Sequence, residues 1–241
     1  MKLKSIYTIV LIVCTIPLAN AQWGKKISGS GNLITKNINT SDYDIIDTKG
    51  SMDVILEKGT EGAIKVVADD NIIDLISIST EGDVLKIVMK EKVNYYSKNG
   101  IKVYVPFTDL KEILLKGSGD LISKSPIVTH SFSCTLVGSG DLETEIKAET
   151  VVAYMKGSGD IDLAGSTNQL SVEMTGSGDF NAFNLKSQST DVSLKGSGDI
   201  EVNAQKTIKA RLLGSGDITY SGNPATKDVN VKGSGDIDSR N

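Results

Sequence analysis

The tetrapeptide Gly-Ser-Gly-Asp occurs seven times, at Gly117–Asp120, Gly138–Asp141, Gly157–Asp160, Gly176–Asp179, Gly196–Asp199, Gly214–Asp217 and Gly233–Asp236. Successive first glycines are 21, 19, 19, 20, 18 and 19 residues apart. A phrase returning at a nearly fixed interval signals a repeat architecture, and few folds satisfy that constraint.

The flanks of the phrase say which repeat it is. Two residues before the first Gly stand Leu115, Leu136, Met155, Met174, Leu194, Leu212 and Val231. Four before it stand Ile113, Cys134, Ala153, Val172, Val192, Ala210 and Val229. Four after it stand Leu121, Leu142, Ile161, Phe180, Ile200, Ile218 and Ile237. The positions between are mixed and mostly polar. A period of two with one apolar face is the strand signature, whereas a helix spaces its apolar residues by three and four. Each repeat therefore reads as a strand, a glycine bend and a second strand. Glycine suits the bend because it tolerates positive φ and close backbone approach. One such unit cannot bury its inner face alone, but a stack of copies makes a continuous core. The pattern predicts an all-β fold, a right-handed parallel β-helix with rungs of about 19 residues. At roughly 4.8 Å per rung, the seven phrases span about 30 Å.

The chain begins with an address. Lys2 and Lys4 precede a largely apolar run from Ile6 to Leu18, and Ala19-Asn20-Ala21 is a small-residue cleavage site. Residues 1–21 read as a secretory signal peptide, with cleavage before Gln22. The competing lipoprotein signal would end at Cys14, but Val13 stands where a small residue is required. Pro17 breaks the apolar run, and no other segment is long enough to span a membrane as a helix. Residues 22–241 then form a single β-helix domain. The expected location is the periplasm, the outer-membrane surface or the exterior. The net charge of −4 comes with no basic run, which argues against nucleic acid as a partner. Cys134 is the one cysteine left after cleavage, and its place in an apolar column reads as a small buried core residue.

Residues 28–112 are less regular. Two degenerate phrases, Gly29-Ser30-Gly31-Asn32 and Gly50-Ser51-Met52-Asp53, again lie 21 apart. Alternating stretches follow at 54–57, 63–68, 76–78, 84–89 and 101–105, separated by Gly-containing turns. One helical turn or a loop is expected between Asp69 and Ile78. This half reads as broader rungs that begin and close the solenoid, ending at Pro106, with the regular ladder starting at Ile113.

The order of these features resembles a known family. An exported start is followed by Gly50-Ser51-Met52-Asp53-Val54, Asp69-Asp70-Asn71-Ile72-Ile73, Gly82-Asp83-Val84-Leu85-Lys86-Ile87, Val103-Tyr104-Val105-Pro106 and the Gly-Ser-Gly-Asp run. The chain is similar over almost its whole mature length to the auto-transporter adhesin, head GIN domain family of Bacteroidetes-type bacteria. The resemblance implies a β-helical envelope protein. Self-transport is not expected, because an outer-membrane barrel needs at least eight strands of about ten residues and only five residues follow Asp236.

Three kinds of site are open to the sequence. The seven ladder aspartates would recur about every 5 Å and could share a cation. Calcium-binding β-rolls use a nine-residue period and a second Asp, which this chain lacks. The aspartates therefore read as accepting N–H groups of their own bends, with Lys116, Lys156, Lys195 and Lys232 offsetting their repulsion. His130, beside Ser131 and Ser133, reads as a surface-loop residue. Arg211 and Arg240 are the only arginines. No charged cluster interrupts the ladder as an inserted active site would, so no catalytic, metal or cofactor residue is assigned. Tyr154 and Arg211 sit at odd, outward offsets, and Tyr95, Tyr96 and Trp23 are also expected at the surface, where aromatics stack on sugars or anchor interfaces. No capping segment follows the last phrase, so the C-terminal end of the stack is expected to be covered by self-association or another chain. The function so indicated is a non-enzymatic exported envelope protein for adhesion or scaffold binding, with glycan or surface-protein partners. A polysaccharide-active enzyme on the same solenoid and a calcium-stabilised structural protein are the alternatives.

Overall fold

The computed structural model describes residues 26–90 and 94–240, so the signal sequence, Cys14 and Trp23 lie outside the described residues. Eighteen strands hydrogen-bond into one continuous sheet wound as a right-handed solenoid. The strands Lys26–Ser28 and Asn94–Tyr96 form a separate parallel pair. The only helical element among the described residues is a single 3-10 turn, Ile73–Leu75, inside the segment where a turn is expected.

The long strands stack residue for residue. Leu142–Gly157 pairs in parallel with Ile161–Gly176, setting Leu142 against Ile161, Met155 against Met174 and Gly157 against Gly176. The inward columns are buried as the period-two pattern requires: Leu115, Leu136, Met155, Met174, Leu194 and Leu212 line one wall, and Leu121, Leu142, Ile161, Phe180, Ile200 and Ile218 another. Each large aliphatic so buried contributes roughly 1.5–3 kcal/mol.

Each rung has a second corner that carries no fixed phrase. In the rung Ile161–Gly176 the inward residues run Ile161, Leu163 and Thr167, then change parity to Leu170, Val172 and Met174. Buried Thr167 and Ser187 satisfy their hydroxyls on backbone there, whereas the buried Ser221 hydroxyl has no partner among the described residues. Thr167 Oγ1 lies 3.1 Å from the Glu149 carbonyl and 3.0 Å from that of Gln169. Ser187 donates to the Asn203 carbonyl at 2.8 Å. This corner also absorbs the uneven step lengths. Register shifts occur between Ala182 and Lys186 and between Ser187 and Ser189, while Gly176, Gly196 and Gly214 stay paired.

The first glycine of each phrase is required twice over. Gly157 has φ of +139°, a conformation side-chain-bearing residues rarely adopt. A Cβ there would sit 1.9 Å from the carbonyl oxygen of Gly138 on the neighbouring rung. The bend makes its backbone bonds between rungs: Ser158 donates to the Gly138 carbonyl at 2.9 Å.

The N-terminal half departs from the order of the sequence. Of the two degenerate phrases, only Gly50-Ser51-Met52-Asp53 joins the ladder, with Gly117 stacked on Gly50. Gly29-Ser30-Gly31-Asn32 lies apart and clamps the segment Asp69–Asn71. Buried Asp69 accepts the Gly31 N–H at 3.1 Å and the Ser97 hydroxyl at 2.6 Å. Asp70 accepts from Ser30 and Asn32, bonds that hold its carboxyl below the usual carboxylate range.

The broader rungs expected here are replaced by a parallel rung with antiparallel strands outside it. Val84–Met89 and Lys102–Phe107 lie beneath Ile45–Gly50 and Asp53–Lys58, although they follow them in the chain. Ile76–Glu81 then pairs antiparallel with Val84–Met89, and Ala63–Asp69 antiparallel with both Lys102–Phe107 and Leu33–Asn39. Pro106 lies inside its strand rather than ending it. The antiparallel pairing stops at Tyr104, so the N–H that proline lacks is not needed on that side. Tyr43, buried below, donates its hydroxyl to the Pro106 carbonyl.

Candidate functional site

The regular bends bring three columns of polar side chains to one edge of the solenoid. The first is serine. Ser118, Ser139, Ser158, Ser177, Ser197, Ser215 and Ser234 are all exposed, and their hydroxyls have no hydrogen-bond partner among the described residues. The glycines on either side explain this: the backbone is held by the neighbouring rung, which leaves the serine side chain facing solvent.

The second column is the aspartates. Asp141 N–H donates to Asp120 Oδ1 at 3.0 Å, Asp160 to Asp141 at 2.9 Å and Asp179 to Asp160 at 2.8 Å. Asp199, Asp217 and Asp236 continue the series at 2.9, 2.8 and 2.8 Å. The donor therefore belongs to the next rung, not to the same bend as the sequence suggests. Stacking at the strand spacing brings the following rung's N–H within reach of the carboxylate. The lysines do not offset this column. Lys116 pairs instead with Asp47 at 3.0 Å, and no ladder aspartate has an ion pair among the described residues.

The third column lies two residues beyond each aspartate. Glu143, Asp162, Asn181 and Glu201 stand in register on successive rungs. Asp162, Asn181 and Glu201, together with Asp160, Asp179 and Asp199, line an acidic groove over buried Phe180. The groove continues past Glu145 and Asn184 on the same wall. Partial burial raises the Asp162 carboxyl above its ordinary range, a hydrogen bond from Asn181 opposes the rise, and the charges of Glu143, Asp160 and Asp141 add to it. Acidic odd-offset residues are visible in the sequence. What sequence reasoning missed is that they close with the ladder into a groove. Among the described residues no three His, Cys, Asp or Glu side chains converge closely enough to hold a metal ion.

The remaining candidates are dispersed. His130 is exposed, with Nδ1 3.3 Å from Glu149 Oε1, and it makes no side-chain hydrogen bond to Ser131 or Ser133. Cys134 is fully buried, and burial pushes its thiol up to about 12. Tyr154 faces outward at 38% exposure, beside exposed Val152 and Val137. Arg211 is held by Asp228. Tyr96 is exposed as expected, but Tyr95 is half-buried because its hydroxyl reaches the Ser51 carbonyl at 3.2 Å. No described helix is long and apolar enough to cross a membrane.

The regular solenoid carries its serine and aspartate columns in register along one edge, which defines a repeat protein with extended polar faces. The chain belongs to the family described as "Putative auto-transporter adhesin, head GIN domain", which matches residues 42–224. It is similar to a putative adhesin of Bacteroides fragilis, at 25% identity and a TM-score of 0.85 over 89% of this chain and 100% of that one. It is similar to a putative lipid binding protein of Parabacteroides distasonis, at 27% identity and a TM-score of 0.73 over 90% of this chain and 100% of that one. A putative adhesin of Parabacteroides merdae shares the fold, at 20% identity and a TM-score of 0.64 over 90% of this chain and 99% of that one. No curated protein matches the chain. The family description and the Bacteroides fragilis relative both carry the word adhesin.

Proposed function

We propose that residues 22–241 act as one exported envelope module that binds an extended partner, a glycan or a surface protein, along the bend edge. The observation that carries this is the stack of eight glycine bends in register from Gly50 to Gly233, which repeats the same hydroxyls and carboxylates at the rung spacing. Free serine hydroxyls can both donate and accept, and carboxylates accept, so the edge can meet a chain of sugar hydroxyls without a closed pocket. Residues 1–21 would direct export and be removed in the course of it. The module would associate with itself at its C-terminal end, where Val229 and Val231 are 48% and 42% exposed although they occupy inward columns.

Incubation with a panel of bacterial and host polysaccharides, scoring retention and product release together, tests the reading. Retention that falls when Ser158 and Ser177 are changed to Asn supports it. Product release overturns it in favour of an enzyme. Retention unaffected by the serine variants moves the binding face elsewhere.

A further inference from the structure

The outermost rung is self-complementary about one residue. Among the described residues Thr226–Gly233 pairs on one side only, in parallel with the strand that ends at Gly214. The Asp228 carbonyl is turned back toward the stack, where Arg211 donates to it at 2.8 Å. Backbone direction alternates along a strand, so the N–H and C=O groups of Val229 and Val231 point to the open edge. Their side chains lie in the inward columns, and no rung covers them among the described residues.

We propose that this edge pairs antiparallel with the same edge of a second copy, tail to tail, about a two-fold axis through Asn230. This refines the self-association included in the proposed function. Antiparallel pairing centred on Asn230 sets Val229 opposite the second copy's Val231, and Asp228 opposite its Lys232. Both relations occur twice by symmetry. The inward face then closes with two valine pairs, and the outward face sets each Lys232 beside an Asp228 carboxylate that also holds Arg211 of its own chain, contacts favourable across strands. Neighbouring registers lose this. Centring on Val229 puts Lys227 opposite Val231 on the inward face, and centring on Val231 puts Asn230 opposite Lys232 and leaves Asp228 opposite Ser234. In the register centred on Asn230, Val229 and Val231 form the hydrogen-bonded pairs their backbones require, and Asn230 faces Asn230 at a non-hydrogen-bonded site. A two-fold contact is closed, so the product is a dimer and not a filament.

Site-directed cross-linking reads this register directly, without any ligand. Cysteine variants of the full chain would carry Cys14→Ser, leaving buried Cys134 as the other thiol. Directly opposed residues of an antiparallel pair lie about 4.5–5.5 Å apart at Cα, within disulfide range. Asn230→Cys is expected to form a covalent dimer on mild oxidation. Asp228→Cys and Lys232→Cys are each expected to form no covalent dimer alone, since like positions are four residues out of register, roughly 14 Å. Mixing those two variants is expected to give a dimer. In sedimentation, wild type is expected as a dimer and Val231→Lys as a folded monomer. Absence of the Asn230→Cys dimer, equal cross-linking of Asp228→Cys alone, or assembly growing beyond two copies would each overturn the proposal. A wild-type monomer would also overturn it, and would make the edge charges guards against strand pairing. Polysaccharide retention by such a monomer would leave the adhesion reading standing.

Discussion

Asp160 donates its backbone N–H to Oδ1 of Asp141, one rung away, at 2.9 Å. The carboxylate column is thus part of the inter-rung bonding. Asp141→Ala removes the acceptor and leaves the Asp160 N–H with water alone, at a cost of about 1 kcal/mol. Asp141→Asn keeps an oxygen in place and relieves a like charge, so it is expected to fall within ~0.5 kcal/mol of wild type. Urea unfolding of the two variants compares them.

Because one oxygen of each ladder carboxylate from Asp120 to Asp217 is already engaged, the column is expected to stand without a cation. Addition of a chelator should leave the thermal midpoint within about 1 °C, under ~0.5 kcal/mol. A fall of several degrees would restore the calcium-stabilised alternative.

Two glycines with positive φ separate conformation from contact. At Gly82, φ is +63° and nothing lies within 4 Å of a Cβ, so Ala should cost only the left-handed strain, about 1–2 kcal/mol. At Gly157 the added Cβ meets backbone on the adjacent rung at 1.9 Å, and that backbone cannot rotate away. Gly157→Ala is expected to cost more than about 4 kcal/mol or to prevent folding, read from soluble yield and melting.

Asp162 has its folded-state carboxyl raised above the ordinary value of 3.8. In the folded state it holds its proton to higher pH, so the stability present below pH 3.8 declines as pH rises through the raised value. Asp162→Asn removes that decline. The variant should be the more stable at pH 7, by less than about 1 kcal/mol because solvent screens the site, and equal to wild type near pH ~3. A pH series of melting curves shows whether the two lines converge on the acid side.

The clamp around Asp69 is expected to hold the N-terminal strand. Asp69→Ala frees both the Gly31 N–H and the Ser97 hydroxyl, at about 1–3 kcal/mol. Limited proteolysis should then cut near Gly31 faster than in wild type, while the ladder remains resistant.

Cys134 is expected to react with thiol reagents only after unfolding, since it is fully buried and its thiol is pushed up to about 12. Labelling during a denaturant titration should follow the global transition. Labelling of the native protein would show local opening of the rung.

The sequence alone determined the ladder. A fixed phrase with apolar residues two and four before and four after it admits one inner face, and burial of Leu136, Met155 and Ile161 follows from period two. The strand stretches of the N-terminal half are legible for the same reason, since alternation is local. Three things were decided only by tertiary structure, because each depends on residues far apart in the chain. Val84–Met89 slides beneath Ile45–Gly50, as β-pairing is blind to chain order. The second corner carries no fixed phrase, because its hydroxyls bond to backbone and many residues can fill that role. The acceptor geometry of the aspartates and the groove beside Asp162 exist only when rungs stack at the strand spacing, which sets neighbours 18 to 21 residues apart side by side.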